Sequence, residues 1–103
     1  MGDEIDEYRT LMIRASAAVL VSVRNEYKLT QEDVAKGLRI SVPTVYRIEA
    51  GAREMTIPEM GLLARLVKTS PAEILDLIQH WAHSRRKKRT SAELTTPRPR
   101  ASR

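Results

Sequence analysis

The side chains of this chain that can do chemistry at a surface are hydrogen-bond donors. Between Gln31 and Arg53 they include Gln31, Arg39, Ser41, Thr44, Tyr46, Arg47 and Arg53. Amides, hydroxyls and guanidiniums of this kind suit phosphates and base edges. Catalytic groupings are not visible: no paired acid and base, no activated nucleophile, no phosphate-cradling glycine loop. An enzyme is therefore not expected. His80 and His83 lie three apart with no cysteine or third ligand to join them. They read as surface histidines, with no metal site and no cofactor implied.

The elements that must position these donors are helices, and no strand pattern is present. From Glu4 to about Tyr27, apolar residues recur at helical spacing through Ile5, Tyr8, Leu11, Met12, Ala15, Val19 and Val23. This is one long helix, or a short arm followed by a helix starting near Thr10. Thr30, with Asp33 three residues on, marks the start of a second helix from Gln31 to about Leu38. Ser41 caps a third, with Pro43 in its first turn, where a missing N–H costs nothing. It ends at Ala50, and Gly51 supplies the left-handed position. Thr56–Glu59 and Ser70–Glu73 are capping boxes for a fourth helix, to about Lys68, and a fifth. The fifth carries Ile74, Leu75, Ile78 and Trp81 on one face. Arg85–Arg89 is either its last turn or the start of a tail.

Two short helices joined by a tight turn form a helix-turn-helix. The second is narrow enough to enter the major groove of DNA, and the amides opening the first can face a phosphate. Val34, Ala35 and Leu38 point inward from one helix, and Ile40, Val45 and Ile48 from the turn and the other. Val42, Pro43, Thr44, Tyr46 and Arg47 are left on the outer side or its edges.

Charge is unevenly spread. The 103 residues carry a net +5. Residues 84–103 hold eight basic residues and one acid, whereas residues 1–83 hold ten basic and twelve acidic ones. The basic character belongs to the tail, so the folded part must bind nucleic acid through local arrangement and not net charge. Residues 1–84 read as one domain, with the motif at 31–50, and residues 85–103 as a basic, disordered tail. In that tail Arg85, Arg86, Lys87, Lys88 and Arg89 would attract DNA without reading its sequence. With no cysteine, no membrane-length apolar run and no signal-peptide pattern, the expected location is the cytoplasm, on the nucleoid, with no membrane partner.

The sequence resembles the Cro/repressor-type helix-turn-helix domain, the XRE family. The resemblance runs from about Val19 to Leu77. It rests on Arg24, on "QEDVAKGL", on the Ile40, Val45, Ile48 spacing, on "IEAG" ending at Gly51, and on "TIPEMGLLARLVKTSPAEIL". It implies an all-α, compact five-helix, lambda-repressor-like domain, here with an extended N-terminal helix. It also implies roles. Val42, Pro43 and Arg47 would face bases. Gln31, Arg39, Ser41, Thr44, Tyr46 and Arg53 would contact the DNA backbone. Arg24 and Glu49 would form a structural salt bridge.

The sequence makes two departures from the family pattern. Arg39 occupies a turn position that is usually Gly, at a cost of roughly 1 kcal/mol for a left-handed residue. Val42 and Pro43 stand where Gln or Asn often reads adenine, which leaves Arg47 as the evident guanine reader. The implied function is sequence-specific binding of double-stranded DNA by a homodimeric repressor, answering to concentration, a regulatory protein or the tail. The alternative is a protein-interaction module, an antitoxin or anti-activator, with an apolar groove along Ile74, Ile78 and Trp81.

Overall fold

A computed structural model describes residues 2–89, with side chains placed for residues 3–84. Five helices follow one another: α1 Gly2–Glu26, α2 Gln31–Leu38, α3 Val42–Glu49, α4 Ile57–Leu66 and α5 Pro71–Arg89. α1 packs on α5 and α3, α2 on α3 and α4, and α4 on α5. Their shared core is aliphatic. Leu20, Val34, Leu38, Val45, Ile48, Leu63, Ile74 and Ile78 are fully buried.

α1 is a single helix of 25 residues, with no break near Thr10. Asp3 and Glu4 lie in its first turn, where acids suit the helix dipole. Its buried side is Ala15, Val19, Leu20 and Val23, while residues 3–10 are all exposed. The apolar spacing of Ile5 and Tyr8 thus extends the helix beyond the core it packs on.

The helix starts follow from side-chain caps. Thr30 and Asp33 satisfy each other's amides at 3.0 and 2.9 Å. The Thr30 amide, then its hydroxyl, holds the Asp33 carboxyl below its ordinary range. Thr56 and Glu59 repeat the box. At Ser70 only half of it forms. The Ser70 hydroxyl accepts from the Glu73 amide, but the Glu73 carboxylate takes the Thr69 hydroxyl instead.

The helix ends are less conventional. Gly51 is left-handed at φ 76°, but so are Lys28, Arg39 and Lys68, at φ 56°, 61° and 61°. At Arg39 the following amide of Ile40 returns to the Ala35 carbonyl at 3.0 Å, and the Arg39 amide reaches the Lys36 carbonyl at 3.3 Å. This is the Schellman arrangement. The strain of a left-handed cation is partly offset by its position at a helix C-terminus. Replacing Arg39 by Gly should raise the unfolding free energy by about 0.5–1 kcal/mol. Denaturant midpoints of the two proteins check this, and an Arg39→Gly protein less stable than wild type would contradict it.

Close approach of α2 to α4 explains Gly37. A Cβ there would come within 2.9 Å of the Leu66 side chain. On α5 the inward row is Ile74, Ile78 and Ala82; Leu75 is 40% exposed and Trp81 half-buried. Of the face expected to unite Ile74, Leu75, Ile78 and Trp81, Trp81 packs against the core with Ile74 and Ile78 while Leu75 falls outside it, because an i, i+4 row is narrower than the stripe read from sequence. α5 continues to Arg89, five residues past the boundary placed at Ser84. The expectation of disorder for residues 90–103 lies outside the described residues.

Candidate nucleic-acid interface

α2 and α3 meet through Val34, Ala35, Leu38, Val45 and Ile48, all buried. The opposite side of α3 is open. Pro43, Tyr46 and Arg47 are exposed, Tyr46 at 63%, while Val42 and Thr44 are half-buried. Val42 also packs partly on the core. Ser41 and Arg39 are exposed in the turn that leads into this face.

The start of α3 and the outer Arg47 are linked. Ser41 caps the helix by accepting from the Thr44 amide at 3.2 Å, and the two hydroxyls lie 2.8 Å apart. Arg47 Nη2 donates to Thr44 Oγ1 at 3.3 Å. This chain of contacts was not evident from the sequence, although the i, i+3 spacing of Ser41, Thr44 and Arg47 permits it.

Arg24 and Glu49 meet across 25 residues of chain. Arg24 Nε and Nη2 donate to the two Glu49 oxygens at 2.6 and 3.1 Å, and Arg24 Nη1 reaches the Leu29 carbonyl at 3.2 Å. Gln31 Nε2 also donates to Glu49 Oε1, at 3.0 Å. A carboxylate only accepts, so this contact fixes which end of the Gln31 amide turns inward. One half-buried acid thus joins α1, the start of α2 and the end of α3.

Arg53 lies between α3 and α4, half-buried. Nη1 and Nη2 donate to the two oxygens of Glu59 at 2.9 and 2.8 Å, and Nη1 also to the Glu54 carbonyl at 3.0 Å. Its charge is compensated inside the fold, a role the sequence reading of Arg53 did not include. The missed partner had one signal: Glu59 is the acid of a capping box, held close to the loop that Arg53 occupies.

The Glu59 side chain is 9% exposed. Hydrogen bonds from Arg53 hold its carboxyl below the ordinary 4.5, against burial, which pushes the other way. A depressed acid contributes stability that is present above the unfolded value and lost as pH falls through the folded one. Unfolding between pH 5 and pH 3 should therefore show a steeper loss in wild type than in a Glu59→Gln protein. Parallel curves for the two would contradict this.

The other candidates lie on α5. His80 and His83 are exposed on α5. Among the described residues no three potential ligands gather into a metal site, and no helix is long and apolar enough to cross a membrane. Trp81 lines a shallow hollow with Ala17, Ala18, Val21 and Ala50. The backbone of Arg85–Arg89 forms the end of α5.

Two short capped helices, crossed through small and branched apolar residues and leaving one donor-rich helix face open, define a helix-turn-helix protein of the DNA-binding regulatory class. Residues 20–74 match a family model described as Helix-turn-helix. With more than half of its length matched, the chain belongs to the Cro/repressor-type, or XRE, helix-turn-helix family. No curated protein and no solved structure gives a match.

Proposed function

We propose that the protein is a sequence-specific transcriptional repressor that inserts α3 into the major groove of double-stranded DNA. The observation that carries this reading is the open face of α3. Pro43, Tyr46 and Arg47 face solvent, while Val45 and Ile48 of the same helix are buried. Arg47 reads guanine through its fork, and Val42 and Pro43 contact thymine methyls. Gln31, Ser41, Thr44, Tyr46 and Arg39 take backbone phosphates. Arg53 joins them through the N–H groups that Glu59 and Glu54 leave uncommitted. Arg24 and Glu49 hold the two helices in register. Arg85 to Arg89 add attraction that is independent of sequence.

Repression is by occupancy. A homodimer places two copies of α3 about 34–36 Å apart, in successive grooves of a roughly palindromic operator. The site of action is the cytoplasm, where the nucleoid lies.

Selection from a pool of random duplexes at two salt concentrations tests this. Wild type is run beside a variant with Arg85, Arg86, Lys87, Lys88 and Arg89 all replaced by Gln. Both proteins should select the same sequence, the variant with lower affinity and a flatter salt slope. Selection of no sequence by either would overturn the reading.

The second reading is a protein-interaction module. Of the groove expected for it along Ile74, Ile78 and Trp81, Ile74 and Ile78 are buried and Trp81 is half-buried. Ile78 does line an apolar hollow, with Met12, Met55, Ile57, Met60 and Leu75. Ile57 is 78% exposed there. A partner held in that hollow would leave DNA selection absent and tolerate loss of Arg47.

A further inference from the structure

We propose that Thr44 is the positioning residue for Arg47, and that through it a backbone phosphate and a base are read by one hydrogen-bonded chain. This rests on the reading of α3 as the helix that enters the major groove.

The geometry begins with Ser41. Its hydroxyl oxygen accepts from the Thr44 amide at 3.2 Å, which ties it to the helix start. Thr44 Oγ1 lies 2.8 Å from Ser41 Oγ and accepts from Arg47 Nη2 at 3.3 Å. Thr44 is half-buried and β-branched, so few rotamers are open to it. Arg47 is exposed, and an arginine without an anchor samples many rotamers. The stiff residue therefore orients the flexible one. A single Nη2 proton is used in the tether, and the guanidinium keeps four more for a base edge.

Proton counting gives the second half. Two hydroxyls face each other and Arg47 can only donate. If Thr44 donates to Ser41, the Ser41 proton is left over. If Ser41 donates to Thr44, the Thr44 proton is left over. Either way one O–H has no acceptor within the chain of contacts. It lies at the N-terminal end of α3, where an anion is favoured. A phosphate oxygen that accepts a hydrogen bond from this O–H fixes the direction of the hydroxyl pair, and with it the lone pair offered to Arg47. Phosphate docking then orders the guanidinium for the base.

The test uses Thr44→Val, which keeps the shape and removes the hydroxyl, and Thr44→Ser, which restores it. Binding is measured on the selected duplex and on duplexes changed at each base pair in turn. T44V should lose roughly 3–10-fold in discrimination, concentrated at the base pair that Arg47→Ala also relaxes. T44S should recover most of it. The double variant T44V/R47A should discriminate no worse than R47A alone, because the two residues act as a unit. Equal weakening on every duplex, additive with R47A, would make Thr44 a plain phosphate contact and overturn the proposal.

A readout without DNA keeps the tether testable if no sequence is selected. In the free protein, 15N relaxation at Arg47 Nε should report greater motion in T44V than in wild type or T44S. Equal motion in all three would overturn the tether. Absence of any sequence preference in wild type, with the tether intact by relaxation, would instead count against the DNA reading on which the phosphate half depends.

Discussion

Replacing Glu49 by Ala should lower the unfolding free energy by about 3 kcal/mol, the largest effect expected of any single surface-reaching side chain here. The carboxylate is 9% exposed and accepts from Arg24 twice and from Gln31 once. Its removal strands a guanidinium that is itself only 21% exposed. Arg24 keeps the Leu29 carbonyl, which limits the loss. For a domain of this size about 3 kcal/mol corresponds to a melting temperature lower by roughly 12–24 °C. Glu49→Gln should fall between, because an amide oxygen still accepts one bond. Replacing both partners by apolar residues, Arg24→Met with Glu49→Leu, should restore most of the stability. A Glu49→Ala protein that melts with wild type would remove the pair from the account.

The second large effect is on specificity. Arg47→Ala should leave the fold intact, since the side chain is exposed. Discrimination at one base pair per half-site should fall by about 1–3 kcal/mol, roughly 5–150-fold, while the other positions keep their preference. A lost phosphate contact behaves differently: it weakens all sequences alike and flattens the salt dependence. Base-by-base competition separates the two outcomes. Unchanged preference at every position would sink the assignment of Arg47 as a reader.

Much of this was legible before any coordinates, and for local reasons. Thr30, Ser41 and Thr56 declare helix starts because a hydroxyl followed by an acid or proline satisfies the first amides. Gly51 declares an end because only a left-handed residue closes it. The pairing of Arg24 with Glu49 followed from family resemblance and not from spacing. The ends expected near Tyr27 and Lys68 fall at Glu26 and Leu66, although Lys28 and Lys68 adopt a conformation their residue types do not advertise. Both turns close by paired backbone bonds, with the Leu29 amide on the Arg24 carbonyl and the Thr69 amide on the Ala64 carbonyl, each at 2.8 Å. The same holds for Arg39, whose left-handed state was suggested only by comparison with a family glycine.

The candidate site was less legible than the fold. Position along a helix shows which residues can face out, and so Pro43, Tyr46 and Arg47 were identifiable. It does not show what else those side chains touch. The resemblance implies a backbone contact for Arg53, and Glu59 also takes its fork. It implies the same for Gln31, and Glu49 also turns its amide. These pairings depend on where loops and helix ends come together, which a single sequence does not encode in any period. Leu75 and Ile57 are exposed for a related reason: an apolar residue beside a narrow inward row can fall on either side of it.

Amide chemical-shift mapping with the selected duplex tests the central claim most directly. The account predicts that the largest changes fall on Gln31, on Ser41 and Val42, and on Thr44 to Arg47, with Met12, Ile57, Met60 and Leu75 nearly unmoved. Changes centred on that apolar hollow, with α3 silent, would contradict it.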